Sequence, residues 1–409
     1  MRIITDLHLH SKYSRATSPK LDHTGIAYWA KVKGIDIVGT GDFTHPLWLS
    51  QLKQNLTEAG EGVYKVKEGE GAFYILSAEI SCIYSQGGRV RKIHTIVLVP
   101  SFAAAEKIVA KLSIIGNLYA DGRPILGLSA RDLASYVLDL EPKSIIIPAH
   151  AWTPHFSVFG SQSGFDSLEE CFGENTKHIF ALETGLSSDP EMNWRLTALD
   201  EISLVSFSDS HSPANLLREA TVFELKKPSF FEISEALKNH QVAYTLEFYP
   251  EEGKYHLDGH RKCGVRLEPL ESRKNKNLCP VCQRPLTIGV QNRVEELADR
   301  PFGFKPPKAA PFKKLVQLTK IIAEAIGVGA GSKKVEREYQ KIIQQVKSEF
   351  AVLVDLSLED LSKIVEPKIV EGIKRTREGD LIIEPGFDGE FGKVKIFDNP
   401  APEKPLGLF

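Results

Sequence analysis

The chain has no long apolar run. Nowhere do roughly 18 successive apolar residues occur, the length a helix needs to cross a bilayer, and no basic-then-apolar leader opens it. These absences lead us to expect a cytoplasmic, nucleoid-associated protein with no membrane partner. Cysteine is sparse, at 5 in 409 residues, which excludes a disulfide-stapled secreted fold. Cys82 and Cys171 lie in apolar or helical surroundings and read as small buried hydrophobes. The other three, Cys263, Cys279 and Cys282, cluster late. A charge imbalance is also lacking: 51 Lys and Arg stand against 53 Asp and Glu. That excludes a wholly basic nucleic-acid binder and leaves local basic patches open. What remains is ordinary globular material, 42% hydrophobic and 25% charged, long enough for two to three domains.

From Met1 to about Pro250, short apolar runs alternate with helix-length amphipathic segments. Strands are expected at Ile3–His8, Asp36–Gly41, Phe73–Ile80, His94–Val99, Ser144–Ala149, His178–Glu183, Ser203–Ser208 and Val242–Phe248. Helices such as Gly25–Lys33, Leu47–Leu56, Ala103–Ser113 and Phe230–Asn239 fall between them. This alternation predicts an α/β fold: a parallel sheet closed into a TIM-like (β/α) barrel.

In such barrels chemistry collects where strands end. The first strand ends Asp6-Leu7-His8-Leu9-His10-Ser11. Residues i and i+2 of a strand share a face, so His8 and His10 aim two imidazoles at one point. Asp6 shares that face and is placed to orient a histidine. Other strand ends carry Asp42, Glu79, His150, Glu183, and Asp209 with His211, which repeats the i, i+2 geometry. His94 begins its strand, and a hairpin over Ser85–Val90 would bring it beside Glu79. So many nitrogen and oxygen donors suit two or three divalent ions, Zn2+, Mn2+ or Mg2+, rather than a closed structural zinc site. Such clusters activate water and neutralise phosphate oxygens, so hydrolysis of a phosphate ester is the natural chemistry.

These motifs resemble those of the PHP (polymerase and histidinol phosphatase) superfamily over roughly the first 240 residues. The resemblance implies that the barrel is a distorted, multinuclear phosphoesterase barrel. It implies a metal set of His8, His10, Asp42, Glu79, His94, His150, Asp209 and His211, with Asp209 and His211 catalytic. Two positions depart from the family. Gly41-Asp42-Phe43 stands where Thr-Asp-His is usual, so Asp42 is expected to serve alone, and Ser14 lies near a usual early ligand. The loop after His150 is aromatic, and Trp152, His155 and Phe156 are expected to stack on a base.

After Pro250 the composition changes. Cys279-Pro280-Val281-Cys282 is a Cys-x2-Cys knuckle, and His260-x2-Cys263 is its other half. This spacing predicts a structural zinc in a ribbon-like module over 251–300. His256 is a weaker candidate ligand, and Asp258 does not suit a sulfur and imidazole site. Arg261, Lys262, Arg266, Arg273, Lys274, Lys276, Arg284 and Arg293 make the module basic, as backbone-phosphate binding requires. Residues 300–311 read as a linker. Helices at Leu315–Ile326 and Val335–Phe350 flank Gly327-Val328-Gly329-Ala330-Gly331-Ser332-Lys333-Lys334. This resembles a helix-hairpin-helix, in which Gly327 and Gly329 offer amides, and Lys333 and Lys334 offer charge, to a DNA phosphate. Ser357–Thr376 resembles a second copy, and 380–397 suggests a hairpin. The chain is expected to divide at 1–250, 251–300, 301–390 and a tail, 391–409. The tail ends Pro405-Leu406-Gly407-Leu408-Phe409, similar to the peptides by which bacterial proteins bind the replication sliding clamp. Leu406, Leu408 and Phe409 are the expected contacts.

The whole order resembles the endonuclease Q family, with His260 where a fourth cysteine is usual. That resemblance implies a DNA repair endonuclease cutting 5′ of deaminated bases (uracil, hypoxanthine, xanthine) and of abasic sites. The alternative is a small-molecule phosphatase of the histidinol-phosphate type, which leaves the zinc module and helices unexplained.

Overall fold

The first strand, Arg2–Asp6, is the axis of the sheet. In the computed structural model, which describes residues 1–68 and 71–398, it is flanked on both sides. Ile37–Gly39 pairs with it in parallel and Ala220–Glu224 antiparallel. On one side the sheet continues from Ile37–Gly39 to the long strand Phe73–Gln86, in parallel. That strand turns at Gly87 and Gly88, both at positive φ, into Arg89–Val99, which then pairs with Ile145–Pro148. On the other side Ala220–Glu224 pairs antiparallel with Val242–Glu247, which takes Phe312–Lys314 in parallel.

The sheet is therefore mixed, not parallel as expected. Two features redirect it. The hairpin considered over Ser85–Val90 forms at Gly87 and Gly88, and a tight turn can only join antiparallel strands. The strand Ala220–Glu224, too short and polar-flanked to stand out in the sequence, inserts beside the first strand. A separate parallel pair, Ala181–Glu183 with Ser203–Val205, has its own ladder. Single bonds stitch it to its neighbours: Ala151 N donates to Glu183 O, and Ser206 N donates to Thr221 Oγ1, each at 2.9 Å.

Strand alternation sorts two cores. Ile3, Ile37, Ile75, Ile96, Leu98, Ile145 and Ile147 face one another inside. Their neighbours Ile4, Val38, Leu76, Val97, Val99 and Ile146 face outward and pack under the helices. A strand buried on both faces reads as a continuous apolar run, which is why these strands were legible. The helices His23–Lys33, Pro46–Asn55, Phe102–Ser113 and Phe230–Lys238 match expectation within two residues.

The segment after residue 300 is docked rather than free. Arg300 pairs with Asp200, and the chain enters the sheet at Phe312–Lys314. Helices Leu318–Ile326 and Lys333–Gln345 follow, then Leu358–Ser362 and Pro367–Glu378, then the hairpin Ile382–Glu384 with Lys393–Lys395. A buried ion pair, Lys33 Nζ to Glu349 Oε2 at 2.6 Å, joins this region to the sheet. Lys33 also donates to Ala214 O, as does Gln317. Leu406, Leu408 and Phe409 lie outside the described residues.

Candidate metal centre

Glu79 stands at the middle of the site, buried on the long strand. Its two oxygens face different partners. Oε2 lies 3.3 Å from His10 Nε2 and 3.6 Å from His8 Nε2. Oε1 lies 2.6 Å from His94 Nδ1 and 2.9 Å from His150 Nε2. Asp209 Oδ1 completes the first side, 3.1 Å from His10 Nε2 and 3.7 Å from His8 Nε2. Two groups of donor atoms therefore share one carboxylate: His8, His10, Glu79 and Asp209, and Glu79, His94 and His150. The antiparallel register sets Ser81 opposite His94, one pleat from Glu79, so the hairpin carries His94 to the carboxylate; the strand starts at Arg89, and His94 lies within it rather than at its start.

The far sides of the histidines are held. Glu183 Oε1 lies 2.9 Å from His8 Nδ1, and its other oxygen accepts His150 N at 2.7 Å. Asp42 Oδ1 lies 3.1 Å from His10 Nδ1, while Oδ2 accepts Ser11 N, Ser11 Oγ and Ser14 Oγ. Both oxygens of Asp42 are thus engaged away from the donor groups. Asp42 was expected as a ligand; here it holds His10, and Ser14 helps it. Asp6 corrects a second expectation: it accepts Ser208 N and Leu217 N, so it pins the Asp209 loop rather than a histidine. Burial pushes its carboxyl up to about 6. His211 lies beside the groups but outside them, its ring 4.4 Å from that of His10. Asp42, His150 and Asp209 all adopt left-handed backbone conformations, at φ of 51°, 31° and 45°.

The electrostatics fit cations. Burial opposes charge on His8, yet Glu183 and Glu79 outweigh it and hold the imidazole well above its usual pKa. Burial likewise disfavours the Glu79 and Asp209 carboxylates, but the surrounding histidines hold both below their ordinary range. His94 moves the other way: burial drives it down to about 4. His8 Nε2 is buried and has no hydrogen-bond partner, while its Nδ1 is fixed by Glu183. An imidazole held from behind, with its other nitrogen unpaired and facing two carboxylates, is the arrangement a divalent ion takes.

The aromatic loop divides. Trp152 is fully buried, donates to Asn193 Oδ1 at 2.8 Å and packs on Phe159. It is a core residue, not a stacking platform, because the loop folds back through Phe159 N to Ala151 O. His155 and Phe156 instead line a cavity of about 440 Å³ beside His94, His150 and Asp209. Arg123, which the sequence reading missed, reaches this cavity and donates to Glu79 Oε2 at 3.1 Å. Glu183 was visible as a strand end but without a role.

In the module, His260, Cys263, Cys279 and Cys282 bring four donor atoms together. The thiols crowd one another: Cys282 and Cys279, with burial, push the Cys263 thiol up to about 11. Burial also raises Cys279, but the amides of Cys282 and Val281 aimed at its sulfur bring it below the ordinary value. The donor set fits zinc. His256 is buried elsewhere, and Asp258 accepts Gly289 N and Asn292 Nδ2 as a structural anchor. Gly327, Gly329, Lys333 and Lys334 are exposed. The amides of Gly329, Ala330 and Gly331 have no hydrogen-bond partner among the described residues.

Set against known structures, the fold matches the lesion-specific endonuclease PfuEndoQ from Pyrococcus furiosus. The TM-score is 0.87 at 32% identity, over 97% of this chain and 96% of that one. The chain belongs to the endonuclease Q family. A second endonuclease Q structure, complexed with a 27-mer duplex bearing an abasic lesion at its active site, matches with a TM-score of 0.85 at 32% identity, over all of both chains. Beyond these endonuclease Q structures, residues 317–380 match the family described as MJ0043 C-terminal domain. The uncharacterised protein MJ0043 of Methanocaldococcus jannaschii is 32% identical over 297 residues, 71% of this chain and 36% of that protein. This chain thus matches about a third of its length. Among the described residues no helix is long and apolar enough to cross a membrane.

Proposed function

We propose that this chain is a metal-dependent DNA repair endonuclease. It hydrolyses the phosphodiester 5′ of a deaminated base or an abasic site. The observation that carries this reading is Glu79, one carboxylate shared by two donor groups, with His8 and His10 of the first already oriented. In our reading the sheet with its helices, residues 1–250, is a distorted PHP-type barrel and the catalytic unit. Residues 251–300 hold zinc, and 301–390 form a helix-hairpin-helix-like unit.

The chemistry divalent ions would supply in such donor groups is to make water acidic and to offset charge on phosphate oxygens. The chain's own residues do the positioning. Glu183 turns His8 Nε2 toward Glu79 and Asp209; Asp42, Ser11 and Ser14 turn His10 the same way. His211, with its Nδ1 3.0 Å from Asp209 O, stands at the edge of the groups where a proton can be passed. The cavity beside His94 and His150 has room for a nucleoside unit, as a lesion swung out of the stack requires. Phe156, its ring 4.7 Å from His94, offers an apolar face there. The free amides of Gly329 to Gly331, with Lys333 and Lys334, grip backbone phosphate, and the basic zinc module does the same. The terminal Leu406-Gly407-Leu408-Phe409 is the proposed clamp contact.

A nicking assay tests this. Labelled duplexes carry one uracil, hypoxanthine, abasic site or normal base, with Mn2+ or Mg2+ and then EDTA. One cut 5′ of each lesion, abolished by EDTA, is expected. No cut on any duplex, with hydrolysis of a small phosphate ester instead, would overturn it.

A further inference from the structure

We propose that Arg123 grips the phosphodiester being cut, an inference that rests on the endonuclease reading above. What carries it is the way the chain delivers this side chain. Residues 121–124 form an arm pinned on every side. Asp121 Oδ1 accepts Arg123 N at 3.1 Å and Arg15 N at 3.3 Å. Gly122 N donates to Tyr13 O, and Gly122 O accepts Thr44 Oγ1. Pro124 O accepts Ser81 N. The arm passes directly against the carboxylate that holds His10. A Cβ at position 122 would lie 2.4 Å from both Asp42 Oδ2 and Ser14 Oγ, so only glycine fits.

The guanidinium that emerges uses little of what it carries. Arginine has five N–H donors. Among the described residues Arg123 spends one of them, on Glu79 Oε2. Its side chain is 29% exposed and faces the cavity shared with His94, His150 and Asp209. A structural counter-ion for Glu79 would not be built this way. That carboxylate already has His8, His10, His94 and His150 within 3.6 Å. A planar, permanently charged fork with free donors, fixed beside a metal centre, suits two non-bridging oxygens of a phosphodiester. Arg15, tied to the same Asp121 but 77% exposed, marks the rim where the next phosphate along the strand would pass.

The test compares Arg123→Ala, Arg123→Lys and Arg15→Ala with the full-length wild type, all loaded with Mn2+. Calorimetry reads Mn2+ binding and then inorganic phosphate binding; nicking of an abasic duplex gives kcat and KM. Arg123→Ala is expected to bind Mn2+ as wild type does, to bind phosphate at least tenfold more weakly, and to lose roughly 10²-fold or more in kcat. Arg123→Lys should recover part of kcat, since it restores charge without the fork. Arg15→Ala should raise KM alone and reduce the salt slope by about 1. The proposal falls if Arg123→Ala binds phosphate normally, or if it loses Mn2+ and phosphate together. If wild type binds phosphate through Arg123 yet cuts no duplex, the anion site stands and the endonuclease reading falls.

Discussion

Two regions of the described chain gather potential metal donors, and they are supported in opposite ways. The Glu79 groups sit on or just after buried strands, with His8 held from behind by Glu183 and His10 by Asp42. The His260, Cys263, Cys279 and Cys282 group sits on a short hairpin and a knuckle, partly exposed, with little apolar core beneath it. The first is shaped by the fold before any ion arrives. The second rests on turns, which an ion bound there would help to hold together. The contrast teaches where catalytic chemistry can be placed: a reactive site needs donors that keep their aim while ligands come and go.

The strongest way to break this comparison is to remove the zinc proposed for the cysteine group. Structural zinc contributes on the order of 10 kcal/mol to small modules. Cys279→Ser, or a strong chelator, should therefore abolish hydrogen-exchange protection over 258–289. Phe73–Gln86 and Arg89–Val99 should stay protected. A module that keeps its protection without zinc would erase the distinction.

Next in size is Asp209→Asn. Asparagine tolerates the left-handed φ of 45° at this position, so the melting temperature should hold. Nicking should fall by roughly 10³-fold. Retained activity would remove Asp209 from the catalytic set.

Glu183→Gln sharpens the contrast. It keeps the shape but weakens the hold on His8, so Mn2+ affinity at the Glu79 groups should drop about 10- to 100-fold. Zinc content should not move. Loss of zinc in this variant would mean that the two regions are coupled.

The smallest effect is a pH signature. Glu247, buried and accepting from Thr184 Oγ1, has its carboxyl pushed up to about 8 by burial first and by Asp189 as well, against the hydrogen bonds it accepts. A carboxyl raised above its unfolded value lends stability that is full below about pH 4.5. That stability is lost as pH rises through its folded value. The melting temperature should fall between pH 5 and 9, and Glu247→Gln should flatten that fall. An unchanged slope would place the titration elsewhere, with Glu219 the next candidate since burial raises it too.

How much of this could be read from the residues alone depends on distance along the chain. His8 and His10 were legible because strand period fixes their common face. Cys279 and Cys282 were legible because a knuckle is four residues long. Glu79 with His94 needed only one hairpin. The holders were not legible: Asp42 needs Ser14 in three dimensions, and Glu183 needs a strand 175 residues away from His8. Arg123 sits in a turn with no period to betray it. Trp152 misled for the opposite reason, since an aromatic loop looks exposed until its indole finds Asn193. The mixed sheet was missed because antiparallel insertion of Ala220–Glu224 leaves no mark in local pattern.

The left-handed backbone at Asp42, His150 and Asp209 has a consequence for laboratory evolution. Each such residue holds about 1–3 kcal/mol of conformational strain. Heat-tolerance screening that ignores activity would favour whatever relaxes those turns. Glycine at 209, where the side chain is not packed in the core, is the easiest escape, and it deletes a donor. Libraries of this protein selected only for survival at high temperature should accumulate well-folded, inert descendants, and sequencing position 209 would show the drift first.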